Sequence, residues 1–244
     1  MRTYQNIAYG KLPEQLVDLY LPDSQEFDLL VWFHGGGLES GSRELPLITE
    51  QLIQNGIGMA SVEYRMYPAA HYPDFIFDAA ASVQFVQKNI GSYGSLGKFY
   101  VGGSSAGAYL TMMLCVNPAY LRNAGVDPMT IDCFASDSAQ VTTHFNVLRE
   151  RGIDSRAERI DEAAPLYYVS EDLKFTRLFM VSYTNDMPCR PEQNMLMYKA
   201  IKRLTPNADV RYVQLNGLHT QGTYQKNENG TYDFVDSFLE FIRE

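Results

Sequence analysis

Lys98-Phe-Tyr-Val-Gly-Gly-Ser-Ser-Ala-Gly-Ala-Tyr-Leu-Thr-Met-Met-Leu-Cys-Val116 is the stretch on which the fold turns. Lys98–Val101 reads as a short strand that ends in glycines, and Ala106–Val116 is apolar with helix formers throughout, the pattern of a buried helix. Between them lies Gly103-Ser104-Ser105-Ala106-Gly107, a G-x-S-x-G pattern at a strand-to-helix junction. A turn that sharp forces its central residue into a strained backbone conformation and tolerates only small neighbours. It also sets the Ser105 hydroxyl at a helix N-terminus, where partial positive charge favours a developing anion. Ser105 is therefore the candidate nucleophile. Ser104 is its only rival and has the wrong spacing, and a Gly/Ser-rich phosphate-binding turn is the alternative reading of the pattern.

Working outward, strand-like and helix-like segments alternate. Leu16–Leu21, Phe27–Phe33, Ile57–Val62, Ile131–Ser136, Leu178–Ser182 and Val210–Leu215 read as strands. Phe27–Phe33 is apolar except for Asp28, as expected of a strand covered on both faces. Pro73-Asp74 opens a helix whose apolar positions from Ile76 to Ile90 follow the 3.6-residue period, while Arg190–Leu204 and Phe234–Ile242 read as two further helices. This alternation predicts an α/β fold in one domain over 1–244, with a mostly parallel sheet and helices on both faces. Residues 141–172 break the rhythm. They are rich in Arg, Asp and Glu before turning aromatic at Tyr167-Tyr168, and are expected to form a small lid insertion.

A serine hydroxyl needs a base, and the chain has four histidines. For this elbow the expected chain order is serine, acid, histidine. His34 and His71 come too early, and His144 leaves little room for an acid loop before it. His219 lies just past the last strand and before the last helix, where a general base belongs. Asp186 sits in the loop after the preceding strand, 33 residues earlier, and is the candidate acid that orients it. Asp137 and Asp209 are the alternatives. His34-Gly35-Gly36-Gly37 follows another buried strand, and glycines there let backbone N–H groups approach a substrate oxyanion. Gly36, Gly37 and the Ala106 N–H are the candidate oxyanion hole, with His34 bracing the loop.

Bulk properties narrow the partners. A net charge of −9 argues against nucleic acid and anionic membranes, and no apolar run approaches the roughly 18 residues of a spanning helix. The N-terminal residues lack the pattern of a secretory signal, and Cys115, Cys133 and Cys189 are widely spaced, so a cytoplasmic location with reduced, buried cysteines is the expectation. Histidines and cysteines lack metal-ligand spacing, so neither a metal nor another cofactor is expected.

Taken together, HGGG at 34–37, YRMYP at 64–68, GSSAG at 103–107 and the Asp186 and His219 loops resemble the hormone-sensitive-lipase-like and acetyl-esterase branches of the α/β hydrolases, over roughly residues 15–244. The resemblance implies carboxylic-ester hydrolysis of a small molecule and a bracing role for Arg65 and Asp78 near the oxyanion loop. Ser104 stands where the family commonly has Asp, and Leu38-Glu39 where an aromatic commonly follows the glycines. Only about 26 residues precede the first long buried strand. These departures favour the compact esterases, some of which act on acetyl or feruloyl groups of carbohydrates. The charged 141–163 stretch further predicts short acyl groups, with Tyr167-Tyr168 stacking on a sugar or aryl alcohol. Peptidase or amidase action on the same residues, or a non-catalytic binding module, are the competing readings.

Overall fold

A computed structural model describes all 244 residues. Its strands are β1 (Arg2–Ala8), β2 (Leu16–Leu21), β3 (Glu26–Phe33), β4 (Ile57–Val62), β5 (Ser95–Ser104), β6 (Cys133–Asp137), β7 (Arg177–Asn185) and β8 (Asp209–Leu218). Its helices are α1 (Thr49–Gln54), α2 (Asp74–Asn89), α3 (Ala106–Val116), α4 (Ala119–Asn123), α5 (Phe145–Glu150), α6 (Arg190–Leu204), α7 (Gln221–Tyr224) and α8 (Asp233–Arg243).

The strands form one sheet in the order β1-β2-β4-β3-β5-β6-β7-β8. From β4 to β8 every pairing is parallel, whereas β2 pairs antiparallel with both β1 and β4. The central strands are apolar on both faces because each face is covered. In β3, Leu29, Val31 and Phe33 enter the core beneath α2 and α3, while Leu30 and Trp32 enter the second core beneath α1 and α8. The second core is dense in rings: Phe179 lies within 6 Å of Phe234, Phe238 and Phe241, and Trp32 meets Phe234 edge-on at 5.5 Å.

This is the expected α/β architecture, with local corrections. Strand β1 carries no clear apolar alternation and was not expected; it is held as an antiparallel edge by β2. The strand anticipated over Ile131–Ser136 is displaced to β6, because Ile131 closes a 3-10 turn over Pro128–Thr130. Cys115 and Cys133 are buried, but Cys189 is exposed, at the left-handed position (φ 62°) that opens α6.

Residues 141–172 contain α5 and a 3-10 turn over Pro165–Tyr168. Their inner side is seated firmly: Val141, Val147, Leu148, Ala163 and Ala164 are buried, and the Tyr109 hydroxyl in α3 donates to the Ala163 carbonyl. Their outer side carries the charges, with Arg151 paired to Asp161 and Glu162, and Arg156 paired to Asp154.

Candidate active site

Three strands deliver three chemical groups to one edge of the sheet. Ser105 follows β5, Asp186 follows β7 and His219 follows β8, so all lie at the carboxyl ends of parallel strands, where open α/β sheets present their ligand crevice.

The elbow has the strain its sequence demands. Ser105 has φ 54° and ψ −111°, and its N–H donates to the Asp137 carbonyl at 2.8 Å. A Cβ on Gly107 would come within 1.9 Å of the Phe33 carbonyl oxygen, and one on Gly103 within 2.4 Å of the Gly107 carbonyl carbon. Only glycine lets α3 start this close to β3, which is the physical content of the two flanking glycines.

His219 Nε2 lies 2.8 Å from Ser105 Oγ, and His219 Nδ1 lies 2.5 Å from Asp186 Oδ1. The Asp186 side chain is fully buried. Burial alone would raise its pKa, but hydrogen bonds from His219 and Ser138 outweigh this and hold it below the ordinary carboxylate range. Tyr183 and Met187 add backbone N–H donors to the same carboxylate.

Ser138 joins the site without a sequence signal. It follows β6 with φ 60°, donates to Asp186 Oδ2 at 2.6 Å and lies 3.0 Å from His219 Nδ1. Arg190 Nη1 in turn donates to the Ser138 carbonyl. A lone serine after a strand has no sequence signature; only the convergence of β6, β7 and β8 singles it out.

Asp137, one of the alternative acids, lies elsewhere. Its carboxylate accepts from Ser104, Tyr183 and Thr223, and has no hydrogen bond to His219. Asp209, the other alternative, begins β8 and pairs with Arg177.

Gly36 and Gly37 both have positive φ, 113° and 66°, and lie in the loop after β3. The loop abuts the elbow: a Cβ on the neighbouring Gly35 would be 3.3 Å from Ser105 Cβ. The N–H groups of Gly36, Gly37 and Ala106 have no acceptor within the protein. The His34 ring stacks on Tyr64 with centroids 4.4 Å apart, its Nδ1 2.7 Å from the Gly35 carbonyl and its Nε2 3.3 Å from Glu63. Tyr64 returns a hydroxyl to the His34 carbonyl, and Tyr67 N–H donates to the Leu38 carbonyl. Arg65 grips Asp78 in α2 through Nε and Nη2, at 2.7 and 2.8 Å. The glycine loop thus rests on residues 64–67, and the Arg65–Asp78 fork ties that support to α2.

A cavity of about 320 Å³ lies beside the loop that follows Asp186, lined by Gln140, Phe145, Met187, Arg190 and Gln193 among others; Ser105, His219, Gly36 and Gly37 do not line it. Phe145 packs against the glycine loop, its ring tip 2.7 Å from where a Gly37 Cβ would stand. The pair anticipated for this task is engaged differently. Tyr168 donates its hydroxyl to the Glu162 carbonyl, Tyr167 meets it edge-on, and neither lines this cavity. His144 is buried between Tyr109 and Phe145, caps α5 through Nδ1, and is held well below the ordinary histidine range by burial.

Comparison with known proteins fits this framework. Residues 17–123 match the BD-FAE family model, a span that includes the glycine loop and the elbow but not Asp186 or His219. Isoprenylcysteine alpha-carbonyl methylesterase ICME of Arabidopsis thaliana is 32% identical over 110 residues, 43% of this chain and 26% of the relative. Esterase LipI of Mycobacterium tuberculosis is 28% identical over 163 residues, 65% of this chain and 46% of the relative. The chain spans about a third of the length of the first curated relatives it matches. A solved truncated form of a carbohydrate esterase from gut microbiota superimposes with a TM-score of 0.79 at 16% identity, covering 100% of this chain and 97% of the other. No helix is long and apolar enough to cross a membrane. The chain has the α/β-hydrolase fold, and its first half carries the sequence features of the BD-FAE model.

Proposed function

We propose that the protein is a serine esterase in which Ser105, His219 and Asp186 form the catalytic triad. The observation that carries this reading is the unbroken relay from Ser105 Oγ through both ring nitrogens of His219 to Asp186. Ser105 Oγ attacks the ester carbonyl as His219 Nε2 takes its proton, and Asp186 holds the ring tautomer and stabilises the imidazolium. The carbonyl oxygen becomes an oxyanion that the N–H groups of Gly36, Gly37 and Ala106 receive. Collapse expels the alcohol, which takes the proton from His219. Water then repeats the sequence on the acyl-enzyme and restores Ser105. His34, Arg65 and Asp78 hold the oxyanion loop, and residues 141–172 act as a small lid over the single domain.

The substrate is a small-molecule ester with a short acyl group, including acetylated carbohydrates. Each CH₂ of a longer chain gains about 0.8 kcal/mol only where apolar surface covers it. The lining of the cavity beside the Asp186 loop supplies Gln140, Arg156, Glu158, Arg190 and Gln193 next to the ring of Phe145 and the thioether of Met187. Such a wall suits a polar alcohol portion better than an extended acyl tail. Hydrolysis of p-nitrophenyl acetate by the wild type, absent from Ser105→Ala, is the test. An active Ser105→Ala protein, or an inert wild type, rejects the reading.

A further inference from the structure

Beneath the triad lies a second carboxylate that the mechanism above does not use. Asp137 ends β6 and is completely buried. Three hydroxyls converge on it: Ser104 at 2.8 Å and Thr223 at 3.1 Å on Oδ2, and Tyr183 at 2.7 Å on Oδ1. Ser104 is the residue before the nucleophile. Tyr183 lies three residues before Asp186, donates its own N–H to the Asp186 carboxylate, and accepts at its hydroxyl from Gly222 N–H. Thr223 lies four residues after His219, and its single hydroxyl proton is shared between Asp137 Oδ2 and the Thr220 carbonyl, 2.8 Å away. The Asp137 carbonyl meanwhile receives the Ser105 N–H. One residue therefore touches the elbow, the end of β7 just before Asp186 and helix α7 just after His219.

We propose that Asp137 is a positioning residue of the triad: its carboxylate locks these three segments in register through Ser104, Tyr183 and Thr223, and its negative charge stabilises the His219 imidazolium as the proton leaves Ser105. This role rests on the triad reading. The ionisable groups around it are His219 and Asp186 of the triad, Tyr183 from β7, and Arg190, which reaches the neighbouring Ser138 carbonyl from α6. Burial pushes the carboxyl up to about 6, against the pull of the Tyr183 and Ser104 hydroxyls, the His219 charge and Thr223. The group is thus ionised at neutral pH with a charge that water scarcely screens.

The Asp137→Asn substitution keeps the shape and removes the charge. It is expected to lower kcat on p-nitrophenyl acetate about tenfold with little change in KM. It is also expected to move the acid limb of kcat/KM to lower pH, since loss of a nearby anion makes the imidazolium easier to deprotonate. NMR titration of the His219 ring in the same pair of proteins reads that shift without any substrate, so an error in the esterase reading cannot hide the answer. An unchanged His219 titration, or a kcat within about twofold of wild type in an active enzyme, overturns the proposal. Should Asp137→Asn fail to fold, Thr223→Val carries the test. Removing one donor delays ionisation of Asp137, so activity should fall more at pH 6 than at pH 8, and an equal loss at both overturns it.

Discussion

His219 Nε2 lies 2.8 Å from Ser105 Oγ although 114 residues separate them in the chain. The contact exists because β5 and β8 belong to one sheet, with β6 and β7 between them, and both release their loops at the same edge. The imidazole is already oriented on its other side by Asp186 and Ser138, so little reorganisation stands between this geometry and proton transfer.

Removing the nucleophile should abolish turnover and spare the fold. Ser105→Ala deletes one hydroxyl, and losses of about 10⁴ to 10⁶ in kcat accompany removal of such a residue. Steady-state kinetics beside circular dichroism checks both halves. Wild-type turnover retained in Ser105→Ala but lost in Ser104→Ala would misplace the elbow.

The base and its acid should differ in cost. His219→Ala is expected to match the serine variant, because the same proton transfer fails. Asp186→Asn should cost up to about 10⁴ through the wrong histidine tautomer. Ser138→Ala removes a donor to Asp186 yet leaves the relay intact, so its cost should be smaller than either. A larger loss from Ser138→Ala than from Asp186→Asn would reverse their roles.

Asp137 makes a prediction about stability with a definite sign. Its folded-state pKa of about 6 lies above the ordinary carboxylate value, so the folded protein binds this proton more tightly than the unfolded chain does. The associated stability is fully present below about pH 4 and is lost as pH rises through 6. Asp137→Asn has no such loss. Its Tm relative to wild type should therefore improve between pH 4 and 7, by the equivalent of up to about 3 kcal/mol. A difference in Tm independent of pH would show that the carboxyl is not perturbed.

The elbow glycine should tolerate no side chain. Gly107→Ala would drive its Cβ into the backbone of Phe33, which no rotamer change can relieve. A destabilisation of about 3 kcal/mol or more is expected, read as a falling denaturation midpoint. Near-wild-type stability would mean that α3 can slide away from β3.

Acyl length tests the small-substrate reading. kcat/KM should peak from acetyl to butyryl esters and fall for octanoyl and longer, since the cavity wall near Phe145 and Met187 is interrupted by Arg190 and two glutamines. A rate that keeps rising to decanoyl or palmitoyl esters refutes it.

The sequence by itself determined the elements whose signals are local. Leu16–Leu21, Ile57–Val62, Ala106–Val116 and Arg190–Leu204 have the same bounds in the structure as in their periodicity. The grouping of Ser105, His219 and Asp186 was legible because strain at a strand-to-helix turn admits few neighbours, and because chain order and strand ends leave few places for a candidate base and a candidate acid. The tertiary structure alone decided what depends on partners distant in sequence. Strand β1 exists through its pairing with β2, Ser138 matters only because β6 runs beside β7, and Phe145 reaches the glycine loop only because α5 folds back over it. Asp137 looked like an alternative acid, and what separates the two carboxylates is which groups lie within hydrogen-bond reach, the Tyr183 hydroxyl for Asp137 and the His219 ring for Asp186. A reach of about 3 Å is set by sheet register and loop packing, which no local pattern in the chain encodes.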